Sequence, residues 1–243
     1  LPVNEQTDLV MLDRGLALYD SLWHEVHRVQ DQLTFQMPTE QQVLDGAFVP
    51  GEIDFKMVPG TYHMALQVRD VVSGKSQVYQ QEIVLEDFAI QEALLISDIE
   101  LAFWIGETEE QGDFVKKNLK VIPMSSRSFR KNQNAFVYFE IYNLKRDEFG
   151  QSKYRVEYKF RSRKKRSAPA KVLHGFGRLL QVKEKDREVV IAYEQTGSEE
   201  DEVAYVELDL KEADPGGQEV QVKVTDVLSD QDVSKSIAFT ISP

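Results

Sequence analysis

Apolar and polar residues alternate one for one through much of this chain. A period of two is the pattern of a half-buried strand, not of a helix. In Tyr154–Phe160 the residues Tyr154, Val156 and Tyr158 share one face, with Arg155, Glu157 and Lys159 on the other. Met64, Leu66 and Val68 form a similar row, as do Val220, Val222 and Val224. Phe136, Tyr138 and Glu140 alternate with Val137, Phe139 and Ile141, and Ala204, Val206, Leu208 and Leu210 oppose Val203, Tyr205, Glu207 and Asp209. Turn residues punctuate these runs at Pro59-Gly60, Ser73-Gly74, Gly150, Thr196-Gly197 and Pro215-Gly216-Gly217. Many short strands broken by such turns predict an all-β protein built of β-sandwiches.

An internal repeat suggests two of them. Pro59-Gly60 is followed by Leu66, Val68, Asp70, Val71 and Ser73; Pro215-Gly216 is followed, at the same offset, by Val222, Val224, Asp226, Val227 and Ser229. Each copy reads as a turn, a strand, an Asp-containing turn and a closing strand. The chain's 243 residues also exceed the usual size of one domain. The expectation is two tandem immunoglobulin-like (fibronectin III-like) sandwiches over residues 1–90 and 91–243, the second larger, with a short linker near residues 87–93. Two segments carry a competing helical spacing: Leu9, Leu12, Leu16, Tyr19, Trp23 and Val26, and then Leu95, Ile99, Ala102 and Phe103. Strand is the favoured reading in both. Gly15 falls in the middle of the first and would weaken a helix by about 1 kcal/mol relative to Ala.

Several classes of function are excluded. There is no cysteine, so disulfides, thiol catalysis and Cys-ligated zinc are ruled out. The net charge of −12 argues against nucleic acid as a partner of the whole chain. No apolar run approaches the roughly 20 residues of a membrane helix. The first residues, Leu1-Pro2-Val3-Asn4, show neither an initiator Met nor a signal-peptide pattern, so a mature or truncated product is expected.

Ordered pieces of the chain resemble a known family. They are Pro59-Gly60-Thr61-Tyr62-His63 leading to Gln67-Val68-Arg69-Asp70, then Leu94 to Ala102, Val121-Ile122-Pro123 with Ser126-Arg127-Ser128-Phe129, and Tyr138-Phe139-Glu140-Ile141-Tyr142-Asn143-Leu144. Together they are similar to the region that follows the eponymous domain in bacterial GWxTD-domain proteins, across most of the chain. The Gly-Trp-x-Thr-Asp motif itself is absent, since Trp23 precedes His24 and Trp104 precedes Ile105. The resemblance implies a β-sandwich accessory region of an exported protein of the periplasm, envelope or cell surface.

Candidate chemistry is sparse. His24 and His27 miss the His-Glu-x-x-His spacing by one position, and on a strand they face opposite ways. His63 and His174 stand alone. Asp226, Asp230 and Asp232 lie in one turn but lack the EF-hand spacing and its glycine; a solvated turn is the better reading. No nucleophile elbow or phosphate-cradling loop occurs. The expectation is therefore a non-enzyme with no catalytic residue, metal or cofactor, acting as a protein-interaction module whose partners include, as one option, further copies of itself. The one concentrated feature is basic: Lys159, Arg161, Arg163, Lys164, Lys165 and Arg166. It reads either as a guarded strand edge or as a contact for an acidic partner. The alternatives are a carbohydrate-binding module using Tyr138, Tyr142, Tyr154 and Tyr158, or the accessory part of an enzyme whose catalytic domain lies upstream.

Overall fold

The computed structural model describes residues 7–38, 49–89, 93–163, 171–175, 178–185, 188–199 and 201–243. All regular structure in them is strand, and neither segment with helical spacing is a helix: the first is strand over Thr7–Tyr19 and again from Glu25, with Trp23 in the turn between, and the second is strand at Leu95–Ile96 and Glu100–Glu107, with Ile99 outside both. The chain divides into two compact units, Leu1–Asp87 and Phe88–Pro243.

The first unit contains β1 (Thr7–Tyr19), β2 (Glu25–Pro38), β3 (Gly60–Asp70) and β4 (Ser76–Leu85). Among the described residues they form one antiparallel sheet in the order β2-β1-β3-β4. Register assigns the faces. Leu16 lies opposite Val29 and Leu66, and Leu18 opposite His27 and Met64. This row continues through Leu12, Leu33 and Val68, interrupted by the Arg14–Asp31 ion pair opposite Val68, and makes one largely apolar face. The extended segment 49–59 runs against it: Phe55 meets the His27 ring at 5.9 Å, and Tyr62 donates its hydroxyl to the Val58 carbonyl at 2.9 Å. Leu16, Leu18 and Tyr62 are buried, while Val29, Leu33, Met64, Leu66 and Val68 stay half-buried. Alternation explains the face. The helical spacing of Leu9, Leu12 and Leu16 was a coincidence of a strand whose two faces are both partly apolar.

The second unit is a two-layer sandwich. Its strands are β5 (Leu95–Ile96), β6 (Glu100–Glu107), β7 (Val115–Lys116), β8 (Leu119–Pro123), β9 (Ser128–Arg130), β10 (Asn134–Tyr142), β11 (Ser152–Ser162), β12 (Lys171–Gly175), β13 (Arg178–Lys185), β14 (Glu188–Gly197), β15 (Glu202–Asp209), β16 (Gly216–Asp226) and β17 (Asp232–Ser242). One sheet runs β12-β15-β10-β6-β8-β7, with β5 also beside β10; the other runs β13-β14-β11-β16-β17-β9. The predicted alternation builds the core between them. Val137, Phe139 and Ile141 of β10 and Ala204, Val206 and Leu208 of β15 pack in one cluster with Tyr154, Val156, Tyr158 and Phe160 of β11 and Val220, Val222 and Val224 of β16.

β10 is buried on both faces. Phe136 and Tyr138 on its outer side join Ala102, Ile105, Leu119 and Val121 in a second cluster. A bulge between Ala102 and Trp104 makes this possible. One extra residue reverses the in–out parity of β6, so Leu101 serves the inner core while Ile105 serves the outer one.

The repeat is real at the level of hydrogen bonds. β3 and β16 are both 11 residues long. In each, the Asp that ends the strand accepts from its turn: Asp70 from the N–H of Val72 at 2.8 Å and Ser73 at 2.9 Å, Asp226 from Leu228 at 2.8 Å and from the Ser229 hydroxyl at 2.7 Å. Val71 and Val227 each donate to a neighbouring strand, at Met11 and Lys153. The left-handed position is Gly74 (φ +69°) in one copy and Asp230 (φ +59°) in the other. The difference is burial: Asp226 is only 1% exposed and also takes the Lys145 N–H at 2.9 Å.

Candidate functional site

The basic run begins on the outward face of β11. Antiparallel register sets Arg161 opposite Glu188 of β14 and Glu219 of β16. Glu188 consequently holds Lys159 at 3.1 Å and Arg161 at 2.9 Å, Arg163 lies 3.7 Å from Glu219, and Lys153 lies 3.4 Å from Glu194. This half of the run is a cross-strand ladder compensated within its own sheet. Lys164, Lys165 and Arg166 lie outside the described residues. The hydrogen bond from Arg161, opposed by burial and helped to a lesser degree by the Lys159 hydrogen bond, holds the Glu188 carboxyl below its ordinary value of 4.5. A depressed carboxylate contributes stability above its unfolded pKa and loses it as the pH falls through the folded one. The ladder is therefore expected to weaken below about pH 4.5. Glu188→Gln should remove that acid-limb dependence while shifting neutral-pH stability by no more than about 0.5 kcal/mol, as read by thermal melts from pH 3 to 7.

The three histidines of the first unit do not share one face. His24 sits in the β1–β2 turn, 3.3 Å from Asp20, and His27 lies on the apolar face of the first sheet. His63 is on the opposite face, and His174 is on β12 beside Glu207 in register. Among the described residues no group of three or more His, Asp or Glu is placed to hold a metal. Asp226 is committed to its turn.

Tyr138, Tyr154 and Tyr158 are buried, at 2%, 2% and 1% exposure, and Tyr142 is half-buried. None presents a free ring for stacking. Tyr138 and Tyr142 both donate to Glu140, at 3.0 Å and 2.7 Å, beside the Lys116–Glu100 ion pair. They line a hollow of about 430 Å³. Burial first, and then the Glu140 charge and hydrogen bond, raise both phenols above 10.0. The two phenols and Glu140 form one hydrogen-bonded network at the hollow.

Among the described residues, the least guarded sheet edge is β4. Edges invite pairing with other chains, and proteins blunt them by shortness, charge, proline or bulges. In the second unit β7, β9 and β12 are 2, 3 and 5 residues long, and β13 carries Arg178, Lys183, Glu184 and Lys185. In the first, β2 carries Glu25, Arg28 and Asp31 and ends at Pro38. β4 has 10 residues, SQVYQQEIVL, with Glu82 its single charge. It pairs with β3 without a bulge from Gly60↔Leu85 to Arg69↔Ser76. Val78, Tyr79 and Val84 are 58%, 57% and 64% exposed.

No family model and no curated protein matches the sequence. Among solved structures, the chain is similar to the C-terminal domain of the Streptococcus pyogenes antigen I/II-family protein AspA, at 7% identity and a TM-score of 0.29, over 97% of this chain and 84% of that one. A likeness of this degree carries no argument about function.

Proposed function

We propose that this chain is a non-catalytic interaction module of an exported envelope protein, and that it takes a strand from a protein partner onto β4. The observation that carries the proposal is the unguarded edge: long, regular, nearly uncharged and with exposed apolar side chains. Backbone pairing along such an edge supplies affinity, and alternate side chains supply selectivity. The resemblance to the accessory region of GWxTD-domain proteins supports the envelope setting.

The test is the double variant Tyr79→Lys/Val84→Lys. Both side chains are exposed, so stability should move by no more than about 0.5 kcal/mol for each substitution. Lysines on an edge oppose strand addition. Cross-linked pull-downs from native envelope fractions, with light scattering to detect self-association, should show partners or oligomers with the parent chain and none with the variant. Complexes that persist unchanged in the variant refute the proposal, as does a parent chain that stays monomeric and captures nothing.

A further inference from the structure

The first sheet has a second face of different chemistry. Register lines up Tyr19, His63 and Glu82 in one row, and Ala17, Ala65 and Gln80 in the next. Gly15 and Gln67 follow, with Gln30 across from Gly15. Asp13 and Arg69 come after them, with Gln32 across from Asp13. At the first row Trp23 lies flat on the His63 ring, with centroids 4.2 Å apart and planes within 2°. Tyr19 is tilted against it at 6.1 Å. One face of the indole is covered, yet the residue is 64% exposed. These rings, with Ala65, Gln80 and Glu82, border a hollow of about 210 Å³. A second hollow of about 390 Å³ lies along the same face, bordered by Gly15, Gln30, Gln32 and Gln67 together with Asp13, Arg69 and the paired Arg14 and Asp31. From Tyr19 to Asp13 the surface spans about 20 Å along the strands.

Turn formation does not account for Trp23. Asp20 and Asp147 head the same turn. Each donates its N–H to the residue four ahead, His24 at 2.9 Å and Gln151 at 2.8 Å, and its carbonyl accepts from the residue three ahead at 3.0 Å. Each carboxylate accepts from the residues two and four ahead, at 2.8–2.9 Å. Both turns need a left-handed residue at the fourth position. In the Asp147 turn it is Gly150 at φ +76°, which costs nothing sterically; in the Asp20 turn it is Trp23 at φ +64°. A bulky aromatic held there is strained, and the turn itself would be better served by glycine. Packing does not account for Gly15 either. A Cβ there would meet only the Gln30 side chain, at 3.8 Å and 4.0 Å, which is ordinary contact. A glycine inside a strand weakens it and often marks a surface that something else approaches closely.

We propose that this face binds an uncharged polysaccharide, with Trp23 as the stacking platform. The free indole face suits the C–H face of a sugar ring. The carboxamides of Gln30, Gln67 and Gln80 each offer a donor and an acceptor to vicinal hydroxyls, and the Gly15–Ala17–Ala65 floor keeps the trough low. The chain's net charge of −12 disfavours polyanionic glycans.

Native electrophoresis through gels cast with mixed-linkage glucan, xylan, galactomannan or dextran tests the proposal, with Trp23 emission followed in a Trp104→Phe background. Retardation by at least one polymer is expected, together with a change in Trp23 emission. Trp23→Gly keeps the turn, as Gly150 demonstrates, and should weaken binding at least about tenfold, the scale of one lost aromatic contact. Gly15→Val leaves the turn untouched, fills the trough and should weaken binding too. Tyr79→Lys/Val84→Lys should still bind, which separates this site from the β4 edge. Absence of retardation by all four polymers overturns the proposal, and so does retardation that survives Trp23→Gly or Gly15→Val.

Discussion

Asp226→Ala is expected to destabilise the second unit by about 3 kcal/mol. Its carboxylate lies at 1% exposure and is shared between two segments. It closes the β16–β17 turn through Leu228 and Ser229 and ties down Lys145, which is 81 residues away in sequence. Truncation leaves the part-buried N–H groups of Lys145 and Leu228 without their acceptor and opens a gap at the buried carboxylate itself. The measurement is the urea midpoint at unchanged m-value, followed by Trp104 emission in a Trp23→Gly background, which reports on the second unit. Asp70→Ala is the internal control. The turn is the same, but it is exposed to water, so the loss in the first unit should be smaller. Equal losses at the two positions would show that burial of Asp226 contributes nothing.

The second large effect concerns Tyr158, and it changes sign with the substitution. The ring is 1% exposed and packs edge-on to Phe139 and Tyr193, each at 6.2 Å. Its hydroxyl has no hydrogen-bond partner among the described residues. Tyr158→Ala empties the centre of the sandwich and should cost about 4 kcal/mol. Tyr158→Phe removes only the orphaned hydroxyl and should gain about 1 kcal/mol. Burial, assisted by neighbouring tyrosines, raises the phenol well above 10.0. The native state therefore holds the neutral form, and stability should fall as the pH rises above about 10 and the unfolded chain ionises. The Phe variant should show a shallower alkaline decline. A Phe variant less stable than the parent would mean that the hydroxyl is satisfied.

Period-two alternation revealed the strands and the inner core of the second unit. Tyr154, Val156 and Tyr158 face inward as their spacing implies, and the duplicated Pro-Gly/Asp hairpin recurs with the same turn hydrogen bonds, to which Asp226 adds the Lys145 N–H. What stayed hidden depends on register and sheet order, which local pattern does not encode. The positive run at Lys159, Arg161 and Arg163 looks isolated in sequence because its acids, Glu188 and Glu219, arrive on other strands. β4 is recognisably low in charge, but the same ten residues in the middle of a sheet would be unremarkable; only the order β2-β1-β3-β4 leaves them at an edge. The doubly buried β10 depends on a bulge at Phe103 that no local residue announces. Trp23 reads in the sequence as one member of an apolar spacing and not as a turn residue, because aromatic residues are not turn formers. The one legible hint was Asp20 three residues before it, matching Asp147 and Gly150.

The pairing of β17 with β9 bears on the order in which the molecule assembles. This pair is parallel, Thr240 to Ser128 and Ile241 to Phe129, and the same closure brings Gln231 to Leu94 across 137 residues. Contacts so distant along the chain are slow to form, because the entropy of closing large loops is lost before the contacts compensate for it. The first unit, joined largely through neighbouring hairpins, needs no such closure. During synthesis it is expected to emerge and fold while the sandwich is still waiting for its last strand. For that interval, β4 is presented to the cell alongside the unpaired strands of a half-made domain, and a chaperone or an early-binding partner would find both together.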